Sequence, residues 1–259
     1  MKEIYSISEV SNMTALHPNT IRLYETYGYI SPVTRKENKY RMYETKHIEQ
    51  LRLVQIAFSS RVINKKIMDK IREILIESGK ENYDIAIEEC TICKKYIEEE
   101  QQRVSDAVKE SQRLLAEAGK KEKKTGVVKR KEAAKEIGVT MDVLRNWERN
   151  GLVPIEKDEY GCNIYNESSI ILLKAVKLLR SVDFSIMSII NMREHYRGGG
   201  EKELENILDS TVTEEGIYYT DQLISLLENT KQIIPDIIQQ LQEIKQVSNS
   251  TPPRNLMVK

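Results

Sequence analysis

Residues 20 to 30 read Thr-Ile-Arg-Leu-Tyr-Glu-Thr-Tyr-Gly-Tyr-Ile, and residues 143 to 153 read Val-Leu-Arg-Asn-Trp-Glu-Arg-Asn-Gly-Leu-Val. At an offset of 123, Arg22 falls on Arg145, Tyr24 on Trp147, Glu25 on Glu148 and Gly28 on Gly151. The matching extends outward, with Glu9 on Glu132 and, after a one-residue deletion, Tyr43 on Tyr165 and Ile48 on Ile170. An internal repeat of this kind fixes the organisation before any secondary structure is assigned. The chain is predicted to fold as the same small unit twice, with connecting segments between and after.

Each copy reads as two short helices and a turn. In the first, Ser6 or Ser8 can cap a helix running to about Met13, and His17-Pro18 opens a second that Gly28 ends. In the second, Lys131 to Ile137 is a helix, Gly138 a turn, and Thr140 or Asp142 caps a helix closing at Gly151. Two short helices joined by three or four residues make a helix-turn-helix. Residues 31–43 and 154–165, with Pro32, Pro154 and Gly161, predict a short hairpin or wing. Helical periodicity resumes at Ile48, Leu51, Val54 and Phe58, and again at Ile170, Leu173, Val176 and Leu179.

Charge follows the same division. The whole chain balances 40 basic against 40 acidic residues. Residues 1–76 nevertheless hold 13 Lys/Arg against 8 Asp/Glu, and 126–200 hold 12 against 10. Residues 77–125 hold 10 against 12, and 201–259 hold 5 against 10. Two basic blocks separated by acidic helical stretches suit a polyanionic partner met at two places.

The repeated run resembles the DNA-binding domain of the MerR family, whose members carry a Thr-Leu-Arg-Tyr-Tyr-Glu-x-x-Gly-Leu-Ile-like run and a wing ending Tyr-Arg-x-Tyr. The first copy matches at Thr20, Arg22, Tyr24, Glu25, Gly28, Ile30, Pro32, Arg35, Tyr40, Arg41 and Tyr43. His17-Pro18-Asn19-Thr20 is similar to the heat-shock-repressor branch of that family. The second copy departs in its wing, where Cys162 and Asn163 replace Tyr40 and Arg41. The resemblance implies a mostly α protein with two winged helix-turn-helix domains. It also implies a cytoplasmic, nucleoid-associated transcription regulator of bacterial type, acting on double-stranded DNA and on RNA polymerase at the promoter.

The N-terminal end of the second helix in such a domain reaches base edges in the major groove. That places Pro18, Asn19, Thr20, Arg22 and Leu23 of the first copy, and Met141, Asp142, Arg145 and Asn146 of the second, against DNA. The two arginines suit either guanine or phosphate, and the resemblance favours phosphate. Arg35, Lys36, Lys39, Tyr40, Arg41 and Tyr43, with Lys157, Tyr160, Asn163 and Tyr165, are the expected wing contacts. Tyr24 and Trp147 could pack or stack on the backbone. Glu25 and Glu148 read as structural, because carboxylates avoid phosphates.

The domains are expected at 1–78 and 126–200. A long helix and a Lys-rich joint fill 79–125, helices 201–247, and a disordered tail 248–259. From Tyr83 to Ala118 there is neither Pro nor Gly, and Ile85, Ile92, Ile97, Val104, Val108 and Leu115 recur at helical intervals. Leu223, Leu227, Thr230, Ile234, Ile237, Leu241 and Ile244 form a coiled-coil seam that Pro235 should kink or split. Family domains are followed by a long helix that pairs antiparallel with its mate. One chain with two of each is expected to form an intramolecular pseudo-dimer, with a conventional homodimer as the alternative.

Other chemistries find little support. Cys90-Thr-Ile-Cys93 lies inside the first long helix, near where mercury and copper regulators of the family hold metal. Two thiols alone do not complete a tetrahedral site, so helix packing is preferred to metal or redox sensing. The three histidines, His17, His47 and His195, sit on different elements with no nucleophile arranged about them, and no enzyme or cofactor is expected. Gly198-Gly199-Gly200 lacks the lysine of a phosphate loop and reads as a joint. Residues 201–247 are too short for a separate effector domain. No run approaches the apolar length of a membrane span, no secretory signal is seen, and three cysteines build no disulfide framework. An architectural DNA-binding protein of weak sequence preference is the alternative function.

Overall fold

The computed structural model describes residues 4–61, 64–120, 126–196, 200–210 and 222–250, with side chains to residue 248. The fold is mostly α, with eleven helices among the described residues. The chain divides into two compact units, residues 1–99 with 226–259, and residues 100–225. None of the described helices is long and apolar enough to cross a membrane.

The first unit opens with α1, Ile7–Thr14, capped by Ser6 in a reciprocal capping box with Glu9. The turn places Ala15 in the left-handed region, and His17 caps α2, Pro18–Thr26. A two-stranded wing follows, β1 Thr34–Arg35 paired antiparallel with β2 Arg41–Met42. An additional bridge ties Tyr5 to Tyr43 across the start of the domain. The core beneath gathers Val10, Ile21, Ile30, Val33, Tyr43, Ile48 and Leu51 from every one of these elements. The last two belong to α3, Thr45–Ala57, which is followed by α4, Lys65–Gly79.

Buried Gln50 of α3 locks the wing to the end of α4. Its amide oxygen accepts from the Ser31 backbone at 2.8 Å, while its amide nitrogen donates to the Ser31 hydroxyl and to the Ser78 carbonyl. Every polar atom of a buried amide is thereby used, which is the condition for burying one at low cost.

α5 runs without a break over Tyr83–Ala118, as the absence of Pro and Gly predicts. Its buried face matches the expected one at Ile97, Val104 and Val108 but not at Ile85 and Ile92. Tyr83, Ala86, Cys90, Cys93 and Ile97 face inward in this unit, whereas Ile85 and Ile92 are exposed. The spacing of three and four residues is that of a coiled-coil seam. Its partner is α11, Leu223–Ser250. Within the first unit Asp84 pairs with Lys245, Glu98 with Lys231 at 3.3 Å, and the Tyr83 hydroxyl lies 3.3 Å from that of Ser248. Residue numbers that rise on one helix fall on the other, so the pair is antiparallel. The expected α11 seam from Leu223 to Ile244 is buried at every position. Pro235 lies inside the helix, which runs on through it, so of the expected kink or split the split does not occur. Helix also continues through residues 248–250, placed by sequence in the tail; residues 251–259 lie outside the described residues, as do 121–125 and 197–199 of the expected joints.

The second unit repeats the plan. β3, Val128–Lys129, leads into α6, Arg130–Ile137, and Gly138 makes the turn at φ 74°. Thr140 caps α7, Met141–Arg149, by accepting from the Val143 backbone. The wing is three-stranded, with β5, Asn163–Tyr165, between β3 and β4, Glu156–Lys157. α8, Glu167–Ser181, α9, Ile186–His195, and α10, Glu201–Leu208, complete it. The far half of α5 lies along α8 here: Arg103 donates to the Ser181 carbonyl, and the Ser168 hydroxyl to that of Ala118. Asp209 accepts from the Ile224 and Ser225 backbone and so caps α11.

Candidate nucleic-acid interface

Each unit presents the N-terminal end of its second helix to solvent. Asn19 and Arg22 of α2 are exposed, as are Met141, Asp142, Arg145 and Asn146 of α7, while Pro18 and Thr20 are half-buried. The helices are held from behind by Ile21 and Leu144, both fully buried. In both, the arginine folds back on the residue three places earlier. Arg22 Nη1 donates to Asn19 Oδ1 at 2.7 Å, and Arg145 Nη1 to Asp142 Oδ1 at 2.8 Å.

Beside α2, the wing raises Arg35, Lys36, Lys39 and Tyr40 into solvent, Tyr40 being 72% exposed. A groove of about 690 Å³ runs between this wing and the start of α1, lined by Ser6, Ile7, Arg22, Lys36, Lys39 and Tyr40 among others. Arg35, Lys36 and Lys39 make no ion pair with any of the described residues, which leaves their charge available to a polyanion. Arg41 is different: its Nε donates to Glu25 Oε2 at 2.6 Å, so it braces the wing against α2.

The second wing carries the opposite charge. Glu156, Asp158 and Glu159 outnumber Lys157, where the first has Arg35, Lys36, Lys39 and Arg41 against Glu37. Lys157 and Tyr160 are exposed, Tyr160 at 81%, and Asn163 is half-buried. The position of Arg41 is filled by Asn163, which donates to Glu148 Oε2 at 3.0 Å. The missing cation comes from elsewhere, as Arg130 at the start of α6 grips Glu148 through Nε and Nη2, both at 2.8 Å. Tyr165 donates its hydroxyl to the same carboxylate. Burial raises the Glu148 pKa, but the bonds from Arg130, Tyr165 and Asn163 outweigh it and hold the group below the usual carboxylate range.

Four of the expected contacts are aromatic side chains packed wholly or partly into their domains. Tyr43 and Tyr165 are fully buried and Trp147 nearly so. Tyr24 is half-buried against the core, its ring 5.9 Å from that of Tyr29. Trp147, sealed under its own helix, has no face left for a sugar or base, whereas Tyr24 packs on the core with part of its ring at the surface. Glu25 and Glu148 are structural acids, as their charge indicated. Sequence reading missed Arg130, because its counterpart in the first copy is Ile7 and nothing in the repeat marks it. The acidic second wing was visible in Glu156-Lys157-Asp158-Glu159, had the two wings been compared charge by charge.

The cysteines of the C-x-x-C lie away from this surface. Cys90 and Cys93 are fully buried on the α5 seam, and burial pushes both thiols up to about 12, so they sit there as neutral apolar side chains. Cys162 on the second wing is exposed.

Comparison with known proteins agrees with this geometry. The pattern of the MerR HTH family regulatory protein matches twice, over residues 5–74 and 129–195, together more than half of the chain. The chain is similar to the HTH-type transcriptional regulator CueR of Yersinia pestis, 31% identical over 116 residues that cover 43% of this chain and 76% of that protein. It is 42% identical to CueR of Salmonella typhi over 52 residues, covering 20% of this chain and 38% of that protein. CueR of Vibrio cholerae is 41% identical over 49 residues, 19% of this chain and 35% of that protein. No solved structure matches significantly. With two exposed recognition helices, two wings and the family pattern present twice, the chain belongs to the MerR family of DNA-binding transcription regulators.

Proposed function

We propose that this single polypeptide does what two subunits of a homodimeric relative would do, reading one asymmetric operator with two unlike recognition helices. The observation that carries the reading is the antiparallel pairing of α5 with α11 inside one chain, through Asp84–Lys245 and Glu98–Lys231. The face of α5 that carries Tyr83, Ala86, Cys90, Cys93 and Ile97 is thereby taken up within the chain and is not offered to the same helix of a second molecule. The unit boundaries fall at 99/100, midway along α5, and at 225/226, three residues into α11. The first unit thus combines its DNA-binding domain with the near half of α5 and nearly all of α11, and the second combines its own with the far half of α5.

In this reading Pro18, Asn19, Thr20 and Arg22 meet one half of the operator, and Met141, Asp142, Arg145 and Asn146 the other. Arg35, Lys36, Lys39 and Tyr40 contact phosphates beside the first half. Lys157, Tyr160 and Asn163 make a weaker set beside the second. The regulator works in the cytoplasm, on promoter DNA, by bending or untwisting the duplex so that RNA polymerase engages it. Such a deformation costs about 1–6 kcal/mol and is offset by phosphate contacts made at both ends.

Selecting bound oligonucleotides from a random pool, together with light scattering of the protein alone, tests this. The expected result is an enriched motif with unlike halves and a mass near the 30.1 kDa of one chain. A strict inverted repeat bound by a particle of twice that mass would indicate a homodimer instead.

A further inference from the structure

Asn19 and Asp142 occupy the same place in the repeat, the second residue of α2 and of α7, at the end of the helix that enters the groove. Each is exposed, and each gives its Oδ1 to an arginine one turn on, Arg22 or Arg145. What remains to face DNA is the other terminal atom. On Asn19 that is Nδ2, which can only donate hydrogen bonds. On Asp142 it is Oδ2, which can only accept them.

The major-groove edges sort by the same property. Guanine and thymine show only acceptors there, through N7, O6 and O4. Cytosine offers only its N4 amino group, and adenine an N6 amino group beside the N7 acceptor. We infer that residues 19 and 142 are specificity determinants of opposite hydrogen-bond polarity: Asn19 selects an acceptor-bearing base edge, and Asp142 selects a base with an amino group, cytosine above all. A carboxylate facing O6, O4 or N7 is repelled, so guanine and thymine are rejected at the α7 position. The arginine clamp makes the choice sharp by holding each carboxamide or carboxylate in one orientation. The two halves of the operator therefore differ at equivalent base pairs, even though both helices carry the same arginine five residues in.

This rests on the DNA-binding reading above, and the experiment separates the two. Random-pool selection is run with the wild-type chain, Asp142→Asn and Asn19→Asp. In Asp142→Asn one position of one half-site is expected to lose its preference for cytosine or adenine by about fivefold or more, while the other half-site stays as it was. Asn19→Asp should produce the reverse change in the other half. Both side chains lie on the surface, and thermal melting of each variant monitors folding. A wild-type motif that survives both substitutions with every base preference intact, only the overall affinity changing, overturns the inference alone. Failure of the wild-type chain to enrich any motif overturns the functional reading and this inference with it.

Discussion

Glu25 and Glu148 do the same work with different cations, Arg41 from the wing in one unit and Arg130 from the first helix in the other. A half-buried carboxylate needs a partner more than it needs that partner in any given place, so the wing arginine could be lost once α6 supplied another. Chemistry made the acids legible as structural; the identity of their cations was not, since the two pairs join residues 16 and 18 apart through folding alone. The burial of Tyr43 and Tyr165 was hidden for a related reason. A family signature shows that a tyrosine stands at the end of the wing, but not which way its ring turns. His47 carries a pH dependence. It is buried under the first wing, its Nδ1 accepting from the Glu44 backbone, and burial, aided by the charge of Lys46, lowers its pKa from 6.5 to about 4. The unfolded chain then binds the proton more readily, so the stabilisation is complete above pH 6.5 and declines as acid carries the solution toward pH 4. Urea unfolding should lose about 3 kcal/mol over that interval. His47→Gln, which does not titrate there, should flatten the dependence. Ala15 bears a smaller cost: it adopts φ 55° where the second unit has Gly138 at 74°. Ala15→Gly is expected to gain up to about 1 kcal/mol, read as a higher melting temperature.

At the level of elements, the limits of α5 were legible to the residue because nothing between Tyr83 and Ala118 can stop a helix. Its inner face was legible only in part. Ile97, Val104 and Val108 are buried as their spacing indicated, but large apolar side chains at 85 and 92 suggested a seam where it is Ala86, Cys90 and Cys93 that are buried. The first strand of the second wing escaped notice for want of length, with only Val128 and Lys129 to mark it. Two outcomes follow from the packing of these helices. A thiol reagent should titrate one cysteine, Cys162, in the native protein, and all three only in denaturant, since Cys90 and Cys93 are sealed and neutral. Gly79, the last residue of α4, gives the second. A β-carbon there would lie 2.0 Å from the Gly28 carbonyl oxygen, a backbone atom that cannot step aside. Gly79→Ala should therefore destabilise the first unit by more than about 2 kcal/mol in denaturant unfolding, although alanine is the better helix former.

Considered as a whole molecule, the chain is a pair of related domains whose surfaces have drifted apart in charge. Removing Arg35, Lys36 or Lys39 by alanine substitution should each lower the slope of log affinity against log salt by close to 0.9, the value for one phosphate contact. Lys157→Ala, flanked by Glu156 and Asp158, should change the slope by much less. Fluorescence anisotropy on a labelled operator at several salt concentrations measures both. The tandem arrangement was legible because the repeat is written in the chain, and the mostly α fold with it. The unequal wings depended on comparing the copies residue against residue. The exchange of cations around Glu25 and Glu148 also restricts how the halves can be recombined. Grafting the first wing onto the second domain would crowd Arg41 and Arg130 around one carboxylate, and the reciprocal chimera would leave Glu25 an asparagine and a tyrosine hydroxyl but no cation. The two wings are therefore not interchangeable parts, each being matched to the cation supply of its own end of the chain.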